Sequence, residues 1–194
     1  MLWKGSRKEM QATPASPPPV PEALPCAGLM RLLQRARQVQ PEPSILMLGE
    51  LCGGNVTYLG ERGFRVCIET DVRAAPEVAW AGALVWDAFS LMPQLEARRR
   101  ATLLHAGLMA GGAVLAVFAA PNAAPTRARA RYRILSESLI RVEGLEGRRA
   151  VVHPYQNRDI IRLFEGFDLE NLHTRRDGQR EALFFKERQG AAEA

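Results

Sequence analysis

The chain has 194 residues, 47% of them hydrophobic and 24% charged, with a formal net charge of +5 at pH 7, which suits one soluble domain with a sizeable core. No apolar run reaches the roughly 18–20 residues of a membrane helix, and no apolar block follows the basic N-terminus, so neither a membrane partner nor a signal peptide is read. Cys26, Cys52 and Cys67 lack paired or metal-like spacing and the histidines are scattered, which argues against a disulfide framework or a zinc or iron site and favours a cytoplasmic location.

In chain order, residues 1–25 carry six prolines (Pro14, Pro17, Pro18, Pro19, Pro21, Pro25) and few large apolar side chains. Such a segment buries too little surface to offset its ordering entropy and is read as a disordered tail; residues 189–194 are read likewise. The domain is placed at residues 26–188. Leu29, Leu32, Leu33, Ala36 and Val39 share one helical face, and Pro41 and Pro43 end that helix. Residues 45–49 form an apolar strand, residues 55–62 a short helix stopped by Gly63, and residues 64–68 a second strand. Residues 82–86 form a further apolar run with Asp87 at its carboxyl end. A helix then starts near Pro93 and runs to Gly111-Gly112, followed by "AVLAVFA", apolar throughout as expected of a strand covered on both faces. Residues 120–153 interrupt this rhythm with a polar, arginine-rich loop and extended segments near residues 132–142 and 150–153, read together as a partial lid. A last helix covers residues 158–165, with Asn157 as its N-cap and Asp159 in its first turn. "LENLHTRRDGQREALFFKE" then reads as two strands about a turn at Asp177-Gly178. Alternating strands and helices imply an α/β fold, a Rossmann-like, mostly parallel sheet with helices on both faces, here closed by an antiparallel hairpin.

The stretch "ILMLGELCGGN" (residues 45–55) runs from a strand through a glycine-rich turn into a helix. Glycines let main chain approach a ligand, and the helix start offers free N–H groups. Neither G-x-G-x-x-G nor a phosphate loop ending in Gly-Lys-Ser/Thr is present, so nucleotide hydrolysis is not expected. "ILMLGELCGGNVTYLGERGFRVCIETD", "ALVWDAFSLMP" with "MAGGAVLAVF", and "NRDIIRLFEGFDLENLHTRRDGQREALFFK" together resemble the class I S-adenosylmethionine-dependent methyltransferases. They correspond to that family's first motif, its fourth and fifth strands, and its last helix with the closing hairpin.

The resemblance implies S-adenosylmethionine as cofactor, methyl transfer to an unknown acceptor, and a cofactor site at Gly49, Glu50, Gly53, Glu69, Asp71 and Asp87. Gly49 and Gly53 fall on the family's first and third glycines, while Leu51 replaces the middle one and Met47 the leading acid. Leu51 is expected to place a side chain where the cofactor's amino-acid end would lie. The ribose-binding acid of the second strand falls at Thr70, leaving Glu69 and Asp71 on either side; both suit ribose hydroxyls as acceptors or belong to a solvated strand end. Asp87, at the carboxyl edge where open α/β sheets bind ligands, is the candidate catalytic residue, orienting a nucleophile or acting as base; its alternative role is to cap a turn. Residues 70–86 are too few for the helix, strand and helix that the family fits there, so one edge strand is expected to be absent.

Several side chains have plainer readings. Trp86 is assigned to the core, His105 to a structural place in its helix, and "EARRR" (residues 96–100) to a solvated helix face. His153 and Tyr155 are weighed as pocket residues. "TRARARYR" (residues 126–133) reads either as a solvated loop or outward-facing strand, or as an anion-binding strip. A nucleic acid is therefore a conceivable partner, though not the favoured one. The rival to the enzyme is a non-catalytic relative that keeps the fold and binds a protein or nucleic acid. Sequence leaves the acceptor and the oligomeric state open.

Overall fold

The structure, a computed structural model, describes residues 23–68, 79–122 and 126–187, without the side chains of residues 126–128. Its spine is a six-stranded sheet built from β2 (Ser44–Leu48), β3 (Arg65–Ile68), β4 (Trp80–Val85), β5 (Leu108–Phe118), β8 (Phe167–Thr174) and β9 (Arg180–Lys186). The order is β3-β2-β4-β5-β9-β8. The first four strands run parallel, and β9 runs antiparallel to both of its neighbours. Among the described residues no strand pairs outside β3, as the short spacing before Asp87 predicts; residues 69–78 are outside the described part.

The sheet is covered on both faces, which is why β2 and β4 are buried at every position. On one face lies α1 (Ala27–Val39), whose Leu29, Leu32, Leu33 and Ala36 pack against Ile45, Met47, Leu84 and Leu115. On the other lie α3 (Gln94–Gly107) and α4 (Asn157–Leu163), whose Ala97, Leu104 and Ile160 pack against Leu46, Val85, Val114 and Phe184. Alternate residues of one strand feed opposite clusters, as the pleat requires. Each fully buried leucine contributes about 1.5–3 kcal/mol. Gly82 allows α1 to settle closely, since a Cβ there would stand 2.9 Å from the Ile45 side chain and 3.2 Å from that of Leu32.

A second, three-stranded antiparallel sheet joins β6 (Thr126–Ser136), β7 (Leu139–Ala150) and β1 (Ala23–Pro25) in the order β1-β7-β6. Tyr132, Ile134 and Ile140 bury into the α1-side cluster, so this sheet covers part of the same face. Of the two structural readings of the arginine-rich stretch, loop or strand, the strand holds, as β6, while residues 151–156 are irregular rather than extended strand. Ala23–Pro25, assigned to the tail by composition, instead pairs with Leu139–Arg141. Other boundaries shift as well. α2 (Gly53–Gly60) starts before Asn55, and α3 ends at Gly107, so Gly111-Gly112 lies inside β5 rather than at a helix stop. Among the described residues, no helix is long and apolar enough to cross a membrane.

Candidate active site

The strand order reverses between β2 and β4, because the chain steps outward to β3 and then returns to build the sheet in the other direction. The carboxyl ends of two such strands diverge, and their crevice is where open α/β sheets bind ligands. Gly49 follows β2 with φ +114°, a conformation that a residue with a Cβ rarely adopts. It packs against Trp86, the first residue after β4; a Cβ on Gly49 would lie 3.5 Å from that of Trp86. Gly53 opens α2, and nothing lies within 4 Å of where its Cβ would be. Cys52, the N-cap of α2, makes no side-chain capping bond, so no N-cap side chain occupies the first-turn N–H groups. Leu51, expected to intrude, is 52% exposed.

Asp87 is 3% exposed and sits at the N-cap of a 3₁₀ turn, Ala88–Leu91. Its carbonyl accepts the Ser90 N–H, and Ser90 Oγ accepts the Ala119 N–H at 2.9 Å, which ties the end of β4 to the end of β5. A cleft of about 240 Å³ opens beside these turns, lined by Leu48, Gly49, Phe89, Met92, Arg100 and Arg149. Gly49, Gly53 and Asp87 thus stand on one edge. Glu69 and Asp71, the expected ribose acceptors, lie outside the described residues.

Glu50 is engaged by the second sheet. Its Oε1 accepts from Arg129 Nη2 at 2.9 Å and pairs with Arg149 Nη2 at 2.6 Å. Asn55, fully buried in α2, donates to the Tyr132 carbonyl and accepts from the Ile134 N–H, both at 2.7 Å. Tyr132 stacks on Trp86 with ring centroids 5.0 Å apart and planes 9° from parallel. The arginines of β6 face carboxylates as well: Arg131 and Arg133 flank Glu143 at 2.7 and 3.5 Å. The hydrogen bond from Arg131 and the charge of both guanidiniums hold the Glu143 carboxyl below its ordinary value.

Beyond Tyr132 lies a buried polar group. Tyr132 Oη donates to Gln179, and the Arg175 guanidinium lies 5.8 Å from the Tyr132 ring centroid. Glu181 accepts the Gly28 N–H at the start of α1 through Oε1. Trp86 Nε1, Arg175 Nε and Nη1, and Glu181 Oε2 are buried without a hydrogen-bond partner among the described residues. Burial, followed by the charge of Glu181, pushes the Cys26 thiol well above its ordinary value, so it stays protonated.

Trp86 is core. His105 Nε2 donates to the Gly166 carbonyl, 3.0 Å away, in a structural role. Tyr155 is fully buried against Phe118 rather than lining a pocket. The N-cap of α4 is Gln156, in a capping box with Asp159; Asn157 instead accepts from Arg180 Nη1 at 2.8 Å. Sequence reasoning missed the engagement of Glu50 and Asn55 by the second sheet. The available signal was the strict alternation of arginine with small or apolar residues in "RARARYRI", the period of a half-buried strand.

Solved structures match this architecture. A sugar N-methyltransferase from a Streptoalloteichus species superposes with TM-score 0.54 at 10% identity, covering 94% of this chain and 100% of that one. An S-adenosylmethionine-dependent methyltransferase from Clostridium acetobutylicum gives TM-score 0.53 at 6% identity, covering 83% and 91%. One from Methanosarcina mazei gives TM-score 0.51 at 10% identity, covering 79% and 97%. The fold is that of the class I methyltransferases. No family model matches the chain, and no curated protein matches it significantly in sequence. At these identities the likeness establishes a methyltransferase fold and leaves chemistry to the residues at the edge.

Proposed function

We propose that the chain binds S-adenosylmethionine at the carboxyl ends of β2 and β4 and directs its methyl group to an acceptor. The observation that carries this reading is the strand, glycine turn and helix standing at the reversal of strand order in a methyltransferase fold. The residues present fit the group. Gly53 leaves space that a side chain would fill, Gly49 turns the main chain without a Cβ, and the first N–H groups of α2 suit a carboxylate. Leu51, between the two glycines, is half exposed and not packed into the core.

When bound, the cofactor supplies an electrophilic methyl carbon on a sulfonium. The chain's part is largely positioning. Gly49 and Gly53 bring backbone close, and Trp86 walls the crevice on the α1 side. Asp87, buried at the end of β4, is placed to orient an acceptor or take its proton. The cleft of about 240 Å³ beside Gly49 has Arg149 of β7 in its wall, so the second sheet borders the way in. Arg129 and Arg149 are partly exposed where they pair with Glu50, and such pairs cost only about 0–1 kcal/mol each to part.

Calorimetric titration of the full chain with S-adenosylmethionine and S-adenosylhomocysteine tests the reading. Saturable binding is expected, weakened about tenfold or more by Gly53→Trp, whose Cβ would meet no neighbour within 4 Å; an unchanged melting midpoint shows that the variant keeps the fold. No heat at millimolar ligand, or equal binding by the variant, would leave the non-catalytic relative as the better account.

A further inference from the structure

A second hollow at the carboxyl edge, of about 730 Å³, lies beyond the end of β5, between the start of α4 and the β8–β9 turn. Pro121, Asn157, Arg158, Thr174 and Arg180 line it. Arg180, the first residue of β9, is 4% exposed. Its Nη1 donates to Asn157 Oδ1 at 2.8 Å and its Nη2 to the Ala119 carbonyl at 3.3 Å, while Nε is buried without a partner.

Both acceptors are neutral. Among the described residues no carboxylate lies within ion-pair distance of Arg180. Asp159, the acid that acts on it electrostatically, accepts the Gln156 N–H in the capping box of α4. Arg175, the other buried arginine of this turn, has a carboxylate of its own, Asp177 at 2.9 Å. A guanidinium taken out of water without a counter-charge is costly, so such groups are normally paired or hold a ligand. Burial accordingly lowers the Arg180 pKa. A second cation stands on the rim, Arg158, whose side chain is 77% exposed and lies 3.8 Å from Asp159.

We infer that this hollow is an oxyanion site, in which Arg180 and Arg158 hold a carboxylate or phosphate group of a small soluble molecule. The fork of a guanidinium matches either group. Arg180 pairs in register with Phe118, at the end of β5, and Ser90 bridges that end to Asp87. The site is therefore two strands from Asp87, about 10 Å at ordinary strand spacing. The inference concerns binding alone and does not need the cofactor reading.

The full chain is heated in sodium phosphate, sodium acetate and sodium chloride at matched ionic strength, with Arg180→Gln and Arg158→Glu alongside. A ligand at roughly five times its Kd raises the melting midpoint of a chain of this size by about 2–4 °C. A rise of that order is expected in phosphate or acetate over chloride, and the more effective anion identifies the group. It should be lost in both variants. Arg158→Glu guards against misfolding, because it changes an exposed residue in the first turn of α4, where a negative charge suits the helix. No rise above chloride in the wild type, or an equal rise in Arg158→Glu, overturns the inference.

Discussion

The two glycines of the first turn do different jobs, and substitution separates them. Gly49 holds φ +114° directly after β2, so alanine there must bear backbone strain of about 1–3 kcal/mol. Gly53 is the first residue of α2 with open space around it, so alanine there is expected to be neutral or to stabilise by up to about 1 kcal/mol. Urea unfolding of both variants checks this, and equal losses at the two positions would mean that the turn is not shaped as described. The resemblance to the methyltransferase first motif singled out both glycines. It was not enough to say where Leu51 points, because the path of a turn between its glycines is set by what packs around it. Here the side chain is half exposed, outside the packed core.

At the level of elements, Asn55 fastens α2 to β6. Its amide satisfies one buried carbonyl, of Tyr132, and one buried N–H, of Ile134. Asn55→Ala removes both bonds, at about 1–3 kcal/mol each, so an overall loss of about 2–6 kcal/mol is expected. The loss should be local first: hydrogen exchange at the Ile134 amide should accelerate more than exchange in β5. Uniform acceleration across the chain would instead mean that the second sheet does not open on its own. These bonds also explain what the sequence could and could not show. The helices and parallel strands were legible because their apolar periods are local, as in Leu29, Leu32, Leu33 and Ala36 of α1 or the unbroken burial of β2. The antiparallel finish was legible from the turn at Asp177-Gly178. The docking of the second sheet was not, because the bonds that fasten it to α2 join residues 77 and 79 positions apart. The partners of Glu50 were hidden for the same reason, since Arg129 and Arg149 reach it only once β6 and β7 are docked.

Across the whole molecule, the sheet's carboxyl edge concentrates polar groups while its two faces are apolar, so edge and core meet at a few buried polar atoms. Tyr155 is one of them. Its ring packs on Phe118 within the α3–α4 cluster, and its hydroxyl is buried without a partner among the described residues. Burial, opposed in part by the charge of Arg98, pushes its pKa up to about 12. A folded-state value above the ordinary ~10 means that the fold favours the neutral phenol. The resulting stabilisation is complete below pH ~10 and is lost as pH rises from there towards about 12. A shift of about two units corresponds to roughly 2–3 kcal/mol, a sizeable share of the ~5–15 kcal/mol that holds a domain together. Tyr155→Phe removes both the titrating group and the unpartnered hydroxyl. It should match or exceed wild-type stability near neutral pH and lose less between pH ~10 and ~12. Urea midpoints across that range measure the difference. If wild type and variant decline in parallel, the buried phenol is not what couples alkaline pH to the stability of this fold.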